Sequence, residues 1–216
     1  MAIKIEIPTS LKDITLRQYK KFLKAEQMEK EERLLNAKLI QIFCNVEIKD
    51  VMLLQVNDAE DIAKMISDIF DQKPKLVTRF KLNNIDYGFQ PQLDDLTLGE
   101  YIDLDTFIGD WENMEKAMNV LYRPVIVKMK EKYSIDKYVI ENDNLLLDMP
   151  MDAVMSSIFF LWNLGLDLAR TMTNSLDNQE KIALTQHLNS QQSGVGINQF
   201  TDSLKAMLQD LKISLN

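Results

Sequence analysis

One short pattern occurs twice in this chain of 216 residues, and it dictates how two of its helices begin. The first copy reads Leu11-Lys12-Asp13-Ile14-Thr15-Leu16-Arg17-Gln18-Tyr19, and the second Leu93-Asp94-Asp95-Leu96-Thr97-Leu98-Gly99-Glu100-Tyr101. Thr15 and Thr97 are placed as N-caps, with Gln18 and Glu100 three residues later to complete a capping box. Ile14 with Tyr19, and Leu96 with Tyr101, occupy the positions of a hydrophobic staple, which sets the angle at which a chain enters a helix. Phe89 to Thr97 can be laid over Ile7 to Thr15 at a constant offset. The expectation is therefore two similar corners, each leading from an extended segment into a capped helix.

Composition narrows the fold further. Six Gly and five Pro are few for this length, and 46% hydrophobic with 27% charged residues is the balance of a soluble globular domain rich in helix. Residues 2–7 alternate apolar and polar as a half-buried strand does. Thr78 to Leu82 and Ile85 to Phe89 flank Asn83-Asn84, two residues that tolerate positive φ and so form a two-residue hairpin turn. The fold class expected is α+β, predominantly helical, with small strand pieces at about 2–7 and 78–89 that can pair.

Apolar spacing places helices from about Met28 to Phe43, after Asp58 as an N-cap, and from Tyr101 to a left-handed cap at Gly109. A further stripe runs from Trp111 until Tyr122-Arg123-Pro124 stops it, and a long apolar helix follows Asp152. Residues 125–139 are mixed and basic, with no clear period. The organisation read from these signals is a mainly helical domain over 1–189, a flexible linker at 190–197 (Ser190 to Gly196 is its clearest part), and an amphipathic tail helix at 198–213. Phe200, Leu204, Met207, Leu208 and Leu211 form one face of that tail, which either folds back on its own core or docks on a partner.

Catalytic chemistry finds little footing in the residues. His187 is the only histidine and sits in a polar stretch without a nucleophile motif nearby. Cys44 is the only cysteine, inside the apolar run Ile42 to Val46, where a buried, inert thiol is expected. There is no Gly-rich phosphate loop. The net charge of −8 argues against binding nucleic acid through an overall positive field. No segment is long and apolar enough to cross a bilayer, and Lys4 and Glu6 interrupt any signal-peptide core, so a cytosolic origin is expected. The expectation is a non-enzyme with no cofactor, no metal and no small-molecule substrate.

One charge feature stands out. From Asn83 to Glu115 there is no Lys or Arg, whereas Asp103, Asp105, Asp110 and Glu112 cluster around Gly109. Their spacing does not match a calcium loop. They form either a solvated acidic face or a docking surface for a basic partner, and a divalent-cation site is the third alternative. The next segment, with Lys116, Arg123, Lys128, Lys130, Lys132 and Lys137, reverses the sign, which suits head-to-tail packing between copies.

Taken together, the strand, Ile14 to Tyr19, Tyr87-Gly88-Phe89-Gln90-Pro91, Leu96 to Leu104 and Leu121-Tyr122-Arg123-Pro124 resemble an uncharacterised structural or morphogenesis family of tailed double-stranded-DNA phages, found in crAss-like and marine phages. The resemblance covers roughly residues 1–170 and its motifs are structural. It implies a virion structural or assembly protein that contacts other phage structural proteins and itself, in the virion or in the host cytoplasm during assembly. It leaves open a head, portal-region or tail component, a packaged internal protein, or an assembly chaperone absent from the mature particle. A carboxylate–metal enzyme and a packaged transcription accessory are the readings of other classes.

Overall fold

The computed structural model describes residues 5–129, 132–139 and 144–175. The α+β expectation holds: helices dominate, and one small antiparallel sheet accompanies them. A 3₁₀ turn at Leu11–Asp13 leads into α1 (Leu16–Met28), followed by α2 (Glu32–Phe43), α3 (Ile48–Val51) and α4 (Val56–Phe70). The hairpin β1 (Arg79–Leu82) and β2 (Ile85–Phe89) comes next, then a 3₁₀ turn at Leu93–Asp95 and α5 (Leu98–Phe107). After a 3₁₀ turn at Trp111–Asn113 come α6 (Met114–Leu121), β3 (Tyr122–Met129) and β4 (Lys132–Ile135). A last 3₁₀ turn, Asn144–Asp148, enters α7 (Met151–Ser175).

Both capping boxes form as their residues dictate. The Thr15 hydroxyl accepts from Gln18 N–H while Gln18 Oε1 accepts from Thr15 N–H, and Thr97 with Glu100 repeats the arrangement. In each copy a 3₁₀ turn precedes the cap, so the two corners share their local backbone. Asn83 and Asn84 both take positive φ, 49° and 66°, which is the two-residue turn whose twist matches paired strands. Asn45, at φ 52°, closes α2 with Val46 N–H donating to Gln41 C=O, a Schellman ending built on an Asn.

The sheet order is β1-β2-β3-β4, antiparallel throughout. Strand β3 pairs with β2 through Tyr122–Pro124 and with β4 from Val125 onward, so Pro124 sits at the hand-over. There its missing N–H costs little, and its carbonyl still accepts from Asp136 N–H at 2.8 Å. Gly88 is required by crowding: a Cβ there would press into the Tyr133 ring and lie 3.0 Å from Val125 Cγ2.

Several expectations need correction. Ile5 to Ile7 do not form a strand, and residues 2–4 lie outside the described residues. Ile5 and Ile7 pack partly buried against the core while Glu6 points outward, so the alternation reports one-sided burial without a ladder. The sheet is completed instead by β3 and β4, which come from the basic part of the chain. The helix expected to start after Asp58 begins at Val56, with Gln55 at its cap. The one expected from Met28 begins at Glu32. Helix α5 runs to Phe107 with Ile108 as its C-cap, so Gly109 stands one position beyond the cap. Asp152 falls inside the first turn of α7, where its carboxylate accepts from Ala153 N–H. The linker at 190–197, the tail at 198–213 and the stretch 176–189 lie outside the described residues.

One continuous core joins these elements. Tyr19, Phe22, Phe43, Phe70 and Trp111 form a chain of ring contacts through α1, α2, α4 and the turn before α6. Tyr122 is the hub on the sheet side. Its ring meets Phe80 and Phe89 edge-on, and its hydroxyl lies 2.7 Å from Val77 C=O and 3.2 Å from Ala153 C=O. Burial pushes its phenol well above the ordinary tyrosine range, so it stays a neutral donor. Tyr122→Phe is expected to lower the free energy of unfolding by about 1 kcal/mol, because the half-buried Val77 carbonyl loses its donor while Ala153 C=O keeps the Ser156 hydroxyl. Urea denaturation monitored by circular dichroism checks it.

Candidate functional site

The repeated corner serves two different purposes. At the first copy the segment after the last 3₁₀ turn lies directly across the cap. Leu16 N–H donates to Met149 C=O at 3.0 Å, Met151 N–H donates to Ile14 C=O at 2.8 Å, and Thr15 bridges Pro150. Leu11, Ile14, Leu16 and Tyr19 are accordingly buried. At the second copy nothing described takes that place. Leu98 is 75% exposed where Leu16 is 0%, and Tyr101 is 45% exposed where Tyr19 is 4%. Ile102, one residue further along α5, is also exposed. Buried Leu104 and Ile108 hold the other side of the helix on the core. Helix α5 is therefore apolar on two faces and covered on one.

The residue three positions after each cap anchors its corner to the rest of the molecule, and its chemistry matches its partner. Gln18 accepts from Thr15 N–H through its oxygen, while Nε2 donates at 2.9 Å to Ile42 C=O, an orphan carbonyl in the last turn of α2. An amide can do both, and a carboxylate cannot. Glu100 instead accepts twice. Oε2 takes Thr97 N–H at 2.7 Å, and Oε1 takes Arg123 Nη1 at 2.7 Å from β3. Both charged side chains are under a tenth exposed. Burial raises the Glu100 carboxyl, but the Thr97 N–H and hydroxyl together with the Arg123 guanidinium outweigh it and hold it below the usual range.

The four acids picked out from the sequence do not converge. Asp103 accepts from the Tyr138 hydroxyl at 2.8 Å. Asp105 has a buried Oδ1 with no partner, and burial raises its carboxyl above the ordinary value. Asp110 caps the turn before α6, accepting from Glu112 N–H at 2.8 Å and Asn113 Nδ2 at 2.6 Å. Glu112 lies 3.0 Å from Lys24 of α1, and neighbouring Glu115 pairs with Lys20. So Asp110 and Glu112 are engaged within the fold. Among the described residues no group of three or more His, Cys, Asp or Glu is placed to hold a metal ion. Exposed acids remain beside the second corner at Asp94 and Asp95.

Cys44 is buried, and desolvation pushes its thiol up to about 11, which makes it a poor nucleophile. His187 and the tail residues Phe200, Leu204, Met207, Leu208 and Leu211 lie outside the described residues. Among the described residues no helix is long and apolar enough to cross a membrane. The exposed surface of Leu98 and Ile102 was missed by sequence reasoning. Its signal was their spacing of four, which sets them off the stripe of Leu104 and Ile108 that the core takes. No protein-family model, curated protein or solved structure matches this chain.

Exchanging the two anchors tests the geometry. Glu100→Gln leaves Arg123 buried without its counter-charge and is expected to cost about 3–5 kcal/mol. Gln18→Glu sets a carboxylate against the C-terminal carbonyls of α2, where both the lost donor and the helix dipole oppose it, for about 1–3 kcal/mol. The Glu100 contribution is present at neutral pH and is lost as pH falls through its lowered folded-state pKa. Acid titration of stability should therefore flatten in Glu100→Gln, as denaturant midpoints measured from pH 7 to pH 3 would record.

Proposed function

We propose that this chain is a non-enzymatic structural or assembly protein of a tailed phage, acting through protein–protein contact. The observation that carries the reading is the second corner, where Leu98 and Tyr101 are left open while their first-corner counterparts Leu16 and Tyr19 are buried, and where exposed Ile102 stands at the position held by Lys20 in the first copy. Neighbouring exposed apolar side chains with a polar rim are the usual form of a contact surface. Here the rim is acidic, with Asp94 and Asp95 exposed at the corner. Such a rim favours a basic partner and sets orientation, while the apolar residues supply affinity. The sequence resemblance supports the phage assignment, and the partners it implies are other structural proteins of the particle and further copies of this chain.

Quantitative mass spectrometry of purified particles beside the infected-cell lysate tests the proposal. A copy number fixed relative to portal or capsid is the result for a structural or packaged component. Abundance in lysate on virion precursors, with absence from particles, is the result for an assembly chaperone. Absence from both particles and precursors overturns the proposal. In either supporting case Leu98→Asp is expected to reduce association by about tenfold or more, the loss of one interface anchor, while leaving the thermal midpoint nearly unchanged.

A further inference from the structure

One edge of the sheet is arranged to take a further strand, and we propose that it binds an extended acidic segment of another protein. Strand β1 has β2 on one side and no strand on the other. Phe89 N–H donates to Thr78 C=O at 2.8 Å, which makes Thr78 and Phe89 a hydrogen-bonded pair. Antiparallel alternation then makes Phe80 with Tyr87 and Leu82 with Ile85 pairs of the same kind. The backbone N–H and C=O of Arg79 and Lys81 therefore point away from β2, and they have no partner among the described residues. A cleft of about 370 Å³ is lined by β1 and, across from it, by Lys12, Thr15 and Pro150 of the first corner. No residue of β2 lines it, so the cleft lies along the open side of β1.

Charge selects the occupant. Lys12, Arg79 and Lys81 line the cleft, and among the described residues none of them is in an ion pair. Arg79 lies 5.8 Å over the Tyr133 ring, and its Nη1 is buried without a hydrogen-bond partner. The two acids of the lining are already engaged, Asp148 in the fork with Arg17 and Asp152 with Ala153 N–H. A second copy is a poor occupant. Strand β1 against β1 sets Arg79 and Lys81 against their own kind, and β4, the other edge, brings exposed Lys132. Lysine on an edge strand guards it against such pairing, and the same cations admit a strand that carries carboxylates. Phe80 packs on the core, so Arg79 and Lys81 share the opposite face of β1. The fitting strand alternates acids beside Arg79 and Lys81 with apolar side chains beside Phe80, Leu82 and Pro150. Main-chain bonds then give affinity and alternate side chains give specificity. The inference uses neither α5 nor a phage origin, so it stands or falls separately from the assembly reading.

Amide exchange read by NMR on the full chain tests this, with a capped synthetic peptide alternating glutamate and valine as the probe. In the free protein the Arg79 and Lys81 amides are expected to exchange faster than those of Phe80 and Leu82, which the hairpin already bonds. Saturating peptide slows the Arg79 and Lys81 amides about tenfold or more and leaves Phe80 and Leu82 near their former rates. Lys81→Glu, at an exposed position, weakens binding of the glutamate peptide about tenfold and strengthens binding of its lysine–valine counterpart. The glutamate peptide with alternate amides N-methylated keeps its charge and fails to bind. Absence of saturable binding overturns the proposal, as does equal binding of the methylated peptide. Protection of the same amides by a single-stranded oligonucleotide and not by the peptide also overturns it, because the cations would then serve phosphate.

Discussion

The fold closes through a short backbone pairing between residues far apart in sequence. Ile14 and Leu16 exchange hydrogen bonds with Met151 and Met149, and this antiparallel bridge at Thr15 and Pro150 places the start of α7 over the start of α1. The positions it covers are among the most completely buried in the chain: Ile14, Leu16, Met149, Met151 and Met155 expose nothing. Without it the Tyr122 hydroxyl would lose its Ala153 carbonyl, and the apolar side of α7 would have no surface to meet. A fork between Arg17 and Asp148 flanks the bridge, but it is half exposed and contributes little beside the buried contacts.

This bridge also explains why two nearly identical motifs have different fates. A capping box and staple specify φ, ψ and a direction of entry over a few residues. They do not specify what packs on the outer side of the corner. At the first corner a Met-rich segment does so, and at the second the described chain supplies only the inner side. The anchors confirm that each corner is held by its own tertiary partner, an amide to a helix-end carbonyl in one and a buried carboxylate–guanidinium pair in the other.

What was legible in the sequence was local. Thr15 with Gln18, Thr97 with Glu100, and Asn83-Asn84 each encode their geometry within three residues, and each forms as read. Strand 122–135 was not legible, because a partly exposed hairpin carries Lys128 and Lys132 beside Val125 and Val127 and loses the clean alternation of a half-buried strand. Ile5 to Ile7 misled in the opposite sense: an extended stretch lying on a core alternates like a strand without pairing. The acidic cluster misled for a tertiary reason. Glu112 and Glu115 find their cations on α1, more than eighty residues earlier, so a run without lysine is not a run without partners.

The central claim is that the first copy of the corner holds the fold and the second presents a surface. Matched truncations measure that most directly: Leu16→Ala and Leu98→Ala remove the same atoms from the same position of the same motif. Urea unfolding of the two variants is predicted to show a loss of about 2–5 kcal/mol for Leu16→Ala, a cavity in the core, and about 1 kcal/mol or less for Leu98→Ala. Equal losses at the two positions would contradict the account, because the second corner would then be as much a part of the core as the first.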